Sequence, residues 1–273
     1  MVTQEQRKRQ LAREKFLRQQ QRRTSARRKA RMRNSVIASV LGVIVIGSVA
    51  LYTTGVMKGN DDKSNASADV TPSASATKKA PDPCAKPAAG KIKTETWKKE
   101  PAVTIDKSAK YTMKLATTCG DIDIALKTSA APHTVNSFSF LAGKGFFDHT
   151  KCHRLTTNGI YVLQCGDPTG AGSGGPGYTI PDENLKDTSL KGGVYPAGTV
   201  AMANTGQKHT GGSQFFLVYK DSQLPASYTP FGTISASGMK VLQKIAAAGE
   251  STGAGDGAPN ATVVINKATV TQS

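Results

Sequence analysis

Apolar and polar residues alternate along two neighbouring stretches, Tyr111-Thr-Met-Lys-Leu-Ala116 and Ile122-Asp-Ile-Ala-Leu126. A two-residue period sends successive side chains to opposite faces, so each stretch predicts a half-buried β-strand. Thr117-Thr-Cys-Gly120 between them predicts a turn, and the three together a hairpin. The period then lengthens. Pro132 opens a run with Val135, Phe138, Phe140 and Leu141 on one side, which predicts a helix that begins on proline. Strand-like runs follow at His153–Leu155, Ile160–Gln164, Gly198–Met202, Gln214–Val218 and Pro230–Ile234. Met239–Ala246 predicts a second helix, and Thr262–Val270 a last strand. Short strands with glycine-rich turns and only two helices predict a mainly β domain rather than βαβ units. The expected architecture is a closed antiparallel eight-stranded barrel capped by two α-helices. The chain has no internal repeat.

Upstream of this domain, assigned to residues 102–273, the pattern is different. Residues 58–101 are rich in Ser, Ala, Thr, Lys, Pro and Asp, without apolar periodicity. Such a segment buries too little surface to offset its ordering entropy, and it is expected to be a disordered, flexible linker. Before it, Ser35–Met57 runs for 23 residues without a charge and is dominated by Val, Ile and Leu. A bilayer core of about 30 Å needs roughly 20 helical residues, so residues 35–57 are expected to form one transmembrane helix. A cleaved signal peptide is the competing reading, with Ser48-Val49-Ala50 as its small-x-small site, but the preceding 34 residues are long for one.

Charge sharpens this division. Of the 273 residues, 36 are Lys or Arg and 19 are Asp or Glu, a net charge of +17. Residues 1–34 alone hold 13 basic and 2 acidic residues, whereas the chain from Tyr111 onward holds 12 basic and 10 acidic. The basicity therefore belongs to the N-terminal segment and not to the domain. By the positive-inside rule, residues 1–34 are expected to be cytoplasmic and the domain to lie outside the cell membrane. Residues 4–33 contain strong helix formers and neither Gly nor Pro; a solvated helix or arm near anionic headgroups is the simple account. Phe16 is the segment's one aromatic, which argues against nucleic-acid binding.

Candidate chemistry is concentrated in two stretches: Cys152-His-Arg-Leu155 with Tyr161-Val-Leu-Gln-Cys-Gly-Asp167, and Ala201-Met-Ala-Asn204 with Gly211-Gly-Ser-Gln-Phe-Phe216. In this order, with the glycine-rich run Gly170–Gly177 between them and Phe231-Gly232 after them, these blocks resemble the cyclophilin family of peptidyl-prolyl cis-trans isomerases. The resemblance covers about 160 residues. It implies a cyclophilin-like barrel and rotation about X-Pro bonds in exported proteins, assisting their folding outside the membrane. A catalytically weak proline-peptide-binding chaperone or receptor module is the alternative. It implies Arg154, Gln164 and Asn204 as catalytic residues. The implied substrate-binding set is Tyr161, Val162, Ala203, Thr205, Gln214, Phe216, Gln223, Leu224 and Tyr228. Gln223 stands where well-studied members carry Trp, and Tyr228 where they carry His. Two extra residues lie between Arg154 and Gln164.

The chemistry is consistent with such a set. Prolyl rotation breaks no covalent bond; its barrier of about 18–20 kcal/mol is amide resonance. It calls for a pocket for the ring and a fixed donor that favours the twisted amide. No nucleophile, metal or cofactor is needed, and none is expected. Expected partners are proline-containing polypeptides and the membrane, through the N-terminal helix, with the chain a monomer and no nucleic acid bound. Gly170-Ala-Gly172-Ser-Gly-Gly175 fits GxGxxG literally, but Pro176 and the lack of a following helix or lysine argue against a nucleotide site. His149, Cys152 and His153 lack a fourth metal ligand.

Four cysteines, Cys84, Cys119, Cys152 and Cys165, allow three pairings in an oxidising compartment. Cys152 with Cys165 flanks the hairpin between Arg154 and Gln164, leaving Cys84 to pin the linker to Cys119. One objection stands: if Arg154 and Gln164 share a face, strict alternation turns Cys152 and Cys165 to opposite faces. A bulge at the two-residue insertion would remove it.

Overall fold

In the computed structural model, the described residues are 81–273. The expected basic segment at 1–34, the transmembrane helix at 35–57 and linker residues 58–80 lie outside them. Among the described residues, no helix is long and apolar enough to cross a membrane.

The hairpin forms as the alternation predicts. Strands β1 (Tyr111–Thr117) and β2 (Gly120–Leu126) pair antiparallel, and Met113, Leu115, Ile122 and Ile124 point into the core. Helix α1 (Pro132–Gly143) follows, with Val135, Phe138 and Leu141 buried. Its N-terminus is capped from a distant loop: Glu183 accepts hydrogen bonds from the N–H groups of His133 and Thr134 and from Thr134 Oγ1, at 2.8–3.0 Å. A carboxylate is well placed against the orphan donors and positive dipole end of a helix.

Next come β3 (Thr150–Lys151), β4 (Arg154–Thr156), β5 (Val162–Cys165), β6 (Val194–Tyr195), β7 (Thr199–Met202), β8 (Phe215–Val218), β9 (Ser222–Gln223) and β10 (Pro230–Ile234). Helix α2 (Ala236–Ala247) is capped by Ser235, whose hydroxyl accepts from the Gly238 N–H at 3.1 Å. The chain ends with β11 (Asp256–Gly257) and β12 (Val264–Gln272). All eight expected strands and both helices are present; β3, β6, β9 and β11 are two-residue additions.

The barrel is not closed as expected. Ten strands form one curled sheet in the order β11-β4-β5-β8-β7-β10-β2-β1-β12-β3, and its end strands β11 and β3 do not pair. The reason is a bend at Cys152-His153. Cys152 donates its N–H to Val263 O at 2.9 Å, whereas His153 donates to Gln164 O at 3.1 Å. Successive residues thus bond opposite ends of the sheet, which splits the strand that would have sealed it.

The same bend answers the objection to the cysteine pairing. Alternation lapses between β3 and β4, both Cys152 and Cys165 turn inward, and they form a disulfide with Cα atoms 4.1 Å apart. The repair lies at this bend, not at the insertion, which is taken up in the Thr157–Tyr161 connection. Cys84 pairs with Cys119.

That second disulfide begins a strap. From Cys84 to Pro101 the chain, linker by composition, is bonded to the domain at intervals. Ala88 donates its N–H to Asn266 Oδ1 at 3.0 Å, and Trp97 donates its N–H to Pro176 O at 2.8 Å. The Trp97 ring packs edge-on against Phe140 at 5.1 Å. Beneath the sheet and α1, Phe138 is the hub of an aromatic cluster, 5.2 Å from Phe147, 5.5 Å from Phe215 and 4.6 Å from Phe231 between ring centroids. Phe138→Ala should cost about 3–5 kcal/mol, the range for emptying a buried aromatic site. Urea unfolding followed by far-UV circular dichroism would measure it, with a loss under about 1 kcal/mol counting against this cluster as the centre of the core.

Candidate functional site

Four strands set the site by their register. Arg154 of β4 lies opposite Gln164 of β5, Gln164 opposite Phe216 of β8, and Phe216 opposite Ala201 of β7. These residues share the outer face. The alternate ones, Leu155, Leu163, Phe215, Leu217 and Val200, enter the main core. On the outer face Val162, Ala201, Phe216 and Val218 join Tyr195 in a second, separate apolar cluster, with Ala203, Leu224 and Tyr228 packed at its rim. Phe216 meets Tyr228 edge-on at 5.4 Å. This small apolar floor lies on the same face of the sheet as the Arg154 guanidinium.

The polar residues form a chain along it. Arg154 makes a two-point ion pair with Asp256, Nε to Oδ1 at 2.7 Å and Nη2 to Oδ2 at 2.8 Å. Its Nη1 donates to Gln164 Oε1 at 3.1 Å. Gln164 Nε2 donates to Gln214 Oε1, and Gln214 Nε2 to Gly174 O, both at 2.9 Å. One face of the Arg154 fork is therefore held, which fixes where the rest of the guanidinium points. The bond to Asp256 raises the arginine pKa further, so it is charged at every working pH. Reciprocally, the bond from Arg154 holds the Asp256 carboxyl below the usual carboxylate range.

The remaining expected residues divide into two groups. Thr205 and Ala203 stand with Gln164 and Gln214 on the wall of an adjoining cavity of about 900 Å³. Asn204 lines it too, but its side chain is engaged within the protein, donating to Ser227 O at 2.8 Å and accepting from the Gly206 N–H at 2.9 Å. Tyr161 is not brought into the apolar floor: its ring sits edge-on to Tyr219 at 5.9 Å, with Lys220 Nζ 4.5 Å above it. Gln223 is exposed on β9 and donates to Gly192 O at 2.8 Å, away from Arg154's bonds.

The glycine-rich run is a shaped loop. Asp167, fully buried, accepts from the Thr169 N–H at 2.7 Å, the Thr169 hydroxyl at 2.8 Å and the Gly172 N–H at 2.6 Å. Burial would raise its pKa, but these bonds outweigh burial and lower it. A Cβ at Gly174 would collide with Asp167 Oδ1, so the glycine is needed there. Cys152, weighed as a metal ligand, is in a disulfide instead.

Asp256 and Tyr195 were not found from the sequence. Asp256 is 102 residues from Arg154, in a glycine-rich stretch that resembles a loop. Tyr195 sits on a two-residue strand too short to show a period, yet it is fully buried and donates to Tyr228 O at 2.8 Å.

A family model described as cyclophilin type peptidyl-prolyl cis-trans isomerase/CLD matches residues 112–270. A probable peptidyl-prolyl cis-trans isomerase B of Mycobacterium leprae is 48% identical over 195 residues, covering 68% of this chain and 62% of that protein. Its Mycobacterium tuberculosis counterpart is 45% identical, with 68% and 59% covered, so the chain spans about three fifths of these relatives. A peptidyl-prolyl cis-trans isomerase of Helicobacter pylori is 38% identical over 156 residues, 56% of this chain and 88% of that protein. The chain belongs to the cyclophilin-type peptidyl-prolyl cis-trans isomerase family.

If Asp256 holds the arginine, Asp256→Ala should leave the circular dichroism spectrum unchanged while the Arg154 Nε–H exchanges faster with water by NMR. The pH dependence follows from the depressed carboxyl. The pair is intact above the ordinary carboxylate range and is lost only as pH falls through the lowered Asp256 pKa. The Arg154 Nε resonance should therefore hold its position from pH 7 to 5 and move only in stronger acid; a transition near pH 6 would contradict the assignment.

Proposed function

We propose that this protein is a peptidyl-prolyl cis-trans isomerase in which Arg154 stabilises the twisted amide. The observation that carries this reading is the juxtaposition of a fixed, permanently charged guanidinium and a separate apolar floor on one face of the sheet. Family membership supports it, as does the activity for which the relatives are named. A proline ring seated over Phe216, Val162 and Ala201 would bring its amide to the free edge of Arg154. Because Asp256 and Gln164 already hold that side chain, little reorganisation is needed when the amide twists.

The magnitude is attainable. Uncatalysed rotation takes tens of seconds or more, and each 1.36 kcal/mol removed from the barrier gains about tenfold in rate. A single well-placed donor of this kind is worth about 10²–10³. Gln164 would orient the substrate carbonyl through its place between Arg154 and Gln214. With the Asn204 side chain engaged by Ser227 and Gly206, that residue would meet the substrate through its main chain.

The site is proposed to act outside the cell membrane, on exported chains, with residues 35–57 as the anchor and residues 1–34 cytoplasmic. The 23-residue uncharged segment, the charge before it and the two disulfides support this placement. Proteolysis of intact cells or spheroplasts tests it: external protease should remove the domain and leave the N-terminal segment protected.

A proline-peptide isomerisation assay on the full chain tests the activity. Arg154→Ala should lower kcat/KM by about 100-fold or more while keeping the fold. Peptide binding by the unaltered chain without faster isomerisation would favour the receptor alternative.

A further inference from the structure

The cavity beside the proposed proline site has one wall that the family match does not cover. Thr96, Lys98, Lys99 and Glu100 line it, and all four precede residue 112, where the match begins. Gln164, Asn204 and Gln214 line the same cavity. A peptide bound across those three residues therefore shares its cavity with the strap.

The strap is held in place closely enough to act as a wall. Besides the Trp97 N–H bond to Pro176, the Trp97 ring lies between Phe140 and Phe146, 5.1 and 6.0 Å between centroids. Gly177, at φ +87°, has no room for a side chain: a Cβ would stand 2.8 Å from Trp97 O and 2.9 Å from Thr96 Cβ. On the other side of the lysines, His133 Nδ1 lies 2.7 Å from Glu100 Oε1, and Asn136 Nδ2 donates to Ala102 O at 3.1 Å. Lys98 and Lys99 thus sit between two fixed points, with their exposed side chains at the cavity.

The charge there is one-sided. Glu100 supplies the lining's single carboxylate, and it is engaged by His133. Gly172–Thr179, Thr205, Thr210, Gly212 and Ser213 contribute only neutral groups. We propose that Thr96–Glu100 forms a specificity subsite in which Lys98 and Lys99 select an acidic side chain a few residues from the substrate proline. The proposal rests on the proline-peptide reading above and adds a preference that the sheet alone does not confer. Solvent-exposed pairs are individually weak, so two lysines should give a preference of about three- to tenfold, reduced by salt.

The test uses the full chain and fluorescently labelled peptides with a single proline, placing Glu, Gln or Lys at each of the three positions on either side. Affinity and isomerisation rate are measured separately. Glu should bind about three- to tenfold more tightly than Lys at one of these positions in low salt, and the difference should shrink in high salt. In the Lys98→Glu/Lys99→Glu protein the order should reverse. Binding without charge preference, or a preference unmoved by that double substitution, overturns the subsite. A charge preference without faster isomerisation refutes the isomerase reading and leaves the subsite standing. Failure of every peptide to bind overturns both.

Discussion

The hydrogen bonds of β4 with β5 set Arg154 opposite Gln164, and those of β5 with β8 set Gln164 opposite Phe216. That register serves two surfaces at once. Inward, it delivers Leu155, Leu163, Phe215 and Leu217 to the core beneath α1. Outward, it delivers a cation, two amides and an apolar floor to one patch. A slip of one residue would exchange the faces, burying Arg154 and exposing Leu155. The transfer free energy of the core side chains therefore enforces the geometry of the site: the apolar residues that never meet substrate keep the polar ones in line.

Register alone leaves the long side chains free to rotate, and the row from Asp256 to Gly174 removes that freedom. Asp256 holds one edge of Arg154, Gln164 takes a second donor, and Gln214 passes the constraint to the glycine-rich loop. The loop is in turn fixed by the buried Asp167. Each bond is modest on its own, since net contributions run at about 1 kcal/mol. Their value lies in order. An arginine loses roughly 2 kcal/mol of rotamer entropy when fixed, and here that loss is incurred during folding rather than when substrate binds.

How much of this was legible in the sequence varies with the range of the interaction. The hairpin, both helices and the outer-face row follow from local period and from residue blocks, because alternation in sequence is alternation in space. Arg154, Gln164, Gln214 and Phe216, which the cyclophilin blocks group, lie along one face of the sheet. Asp256 was not visible, because its partner is distant in the chain and its neighbours, Gly255 and Gly257, carry no periodic signal. Tyr161 was misplaced for a related reason. It shares the segment of Val162 but faces the other way, and strict alternation, applied one residue further, would have shown it. The closed barrel failed where a regular strand was assumed through Cys152-His153; two hydrogen bonds to opposite ends of the sheet break it there.

The strap teaches the most about composition as evidence. Residues 84–101 are rich in Lys, Pro and Ala and would not fold alone, which is what an absence of apolar periodicity means. Lack of a private core does not require lack of order, because the segment uses the domain's. The Cys84–Cys119 bond closes a separation of 35 residues, which lowers the entropy lost when the rest of the strap settles. Trp97 then buries against Phe140 and Phe146, and its backbone lies against Gly177, where no side chain stands in the way. Few anchors suffice because each shortens the free chain before the next. Such a wall depends on none of the register that fixes Arg154, so the charge it presents at Lys98 and Lys99 is set independently of the residues that would twist the amide.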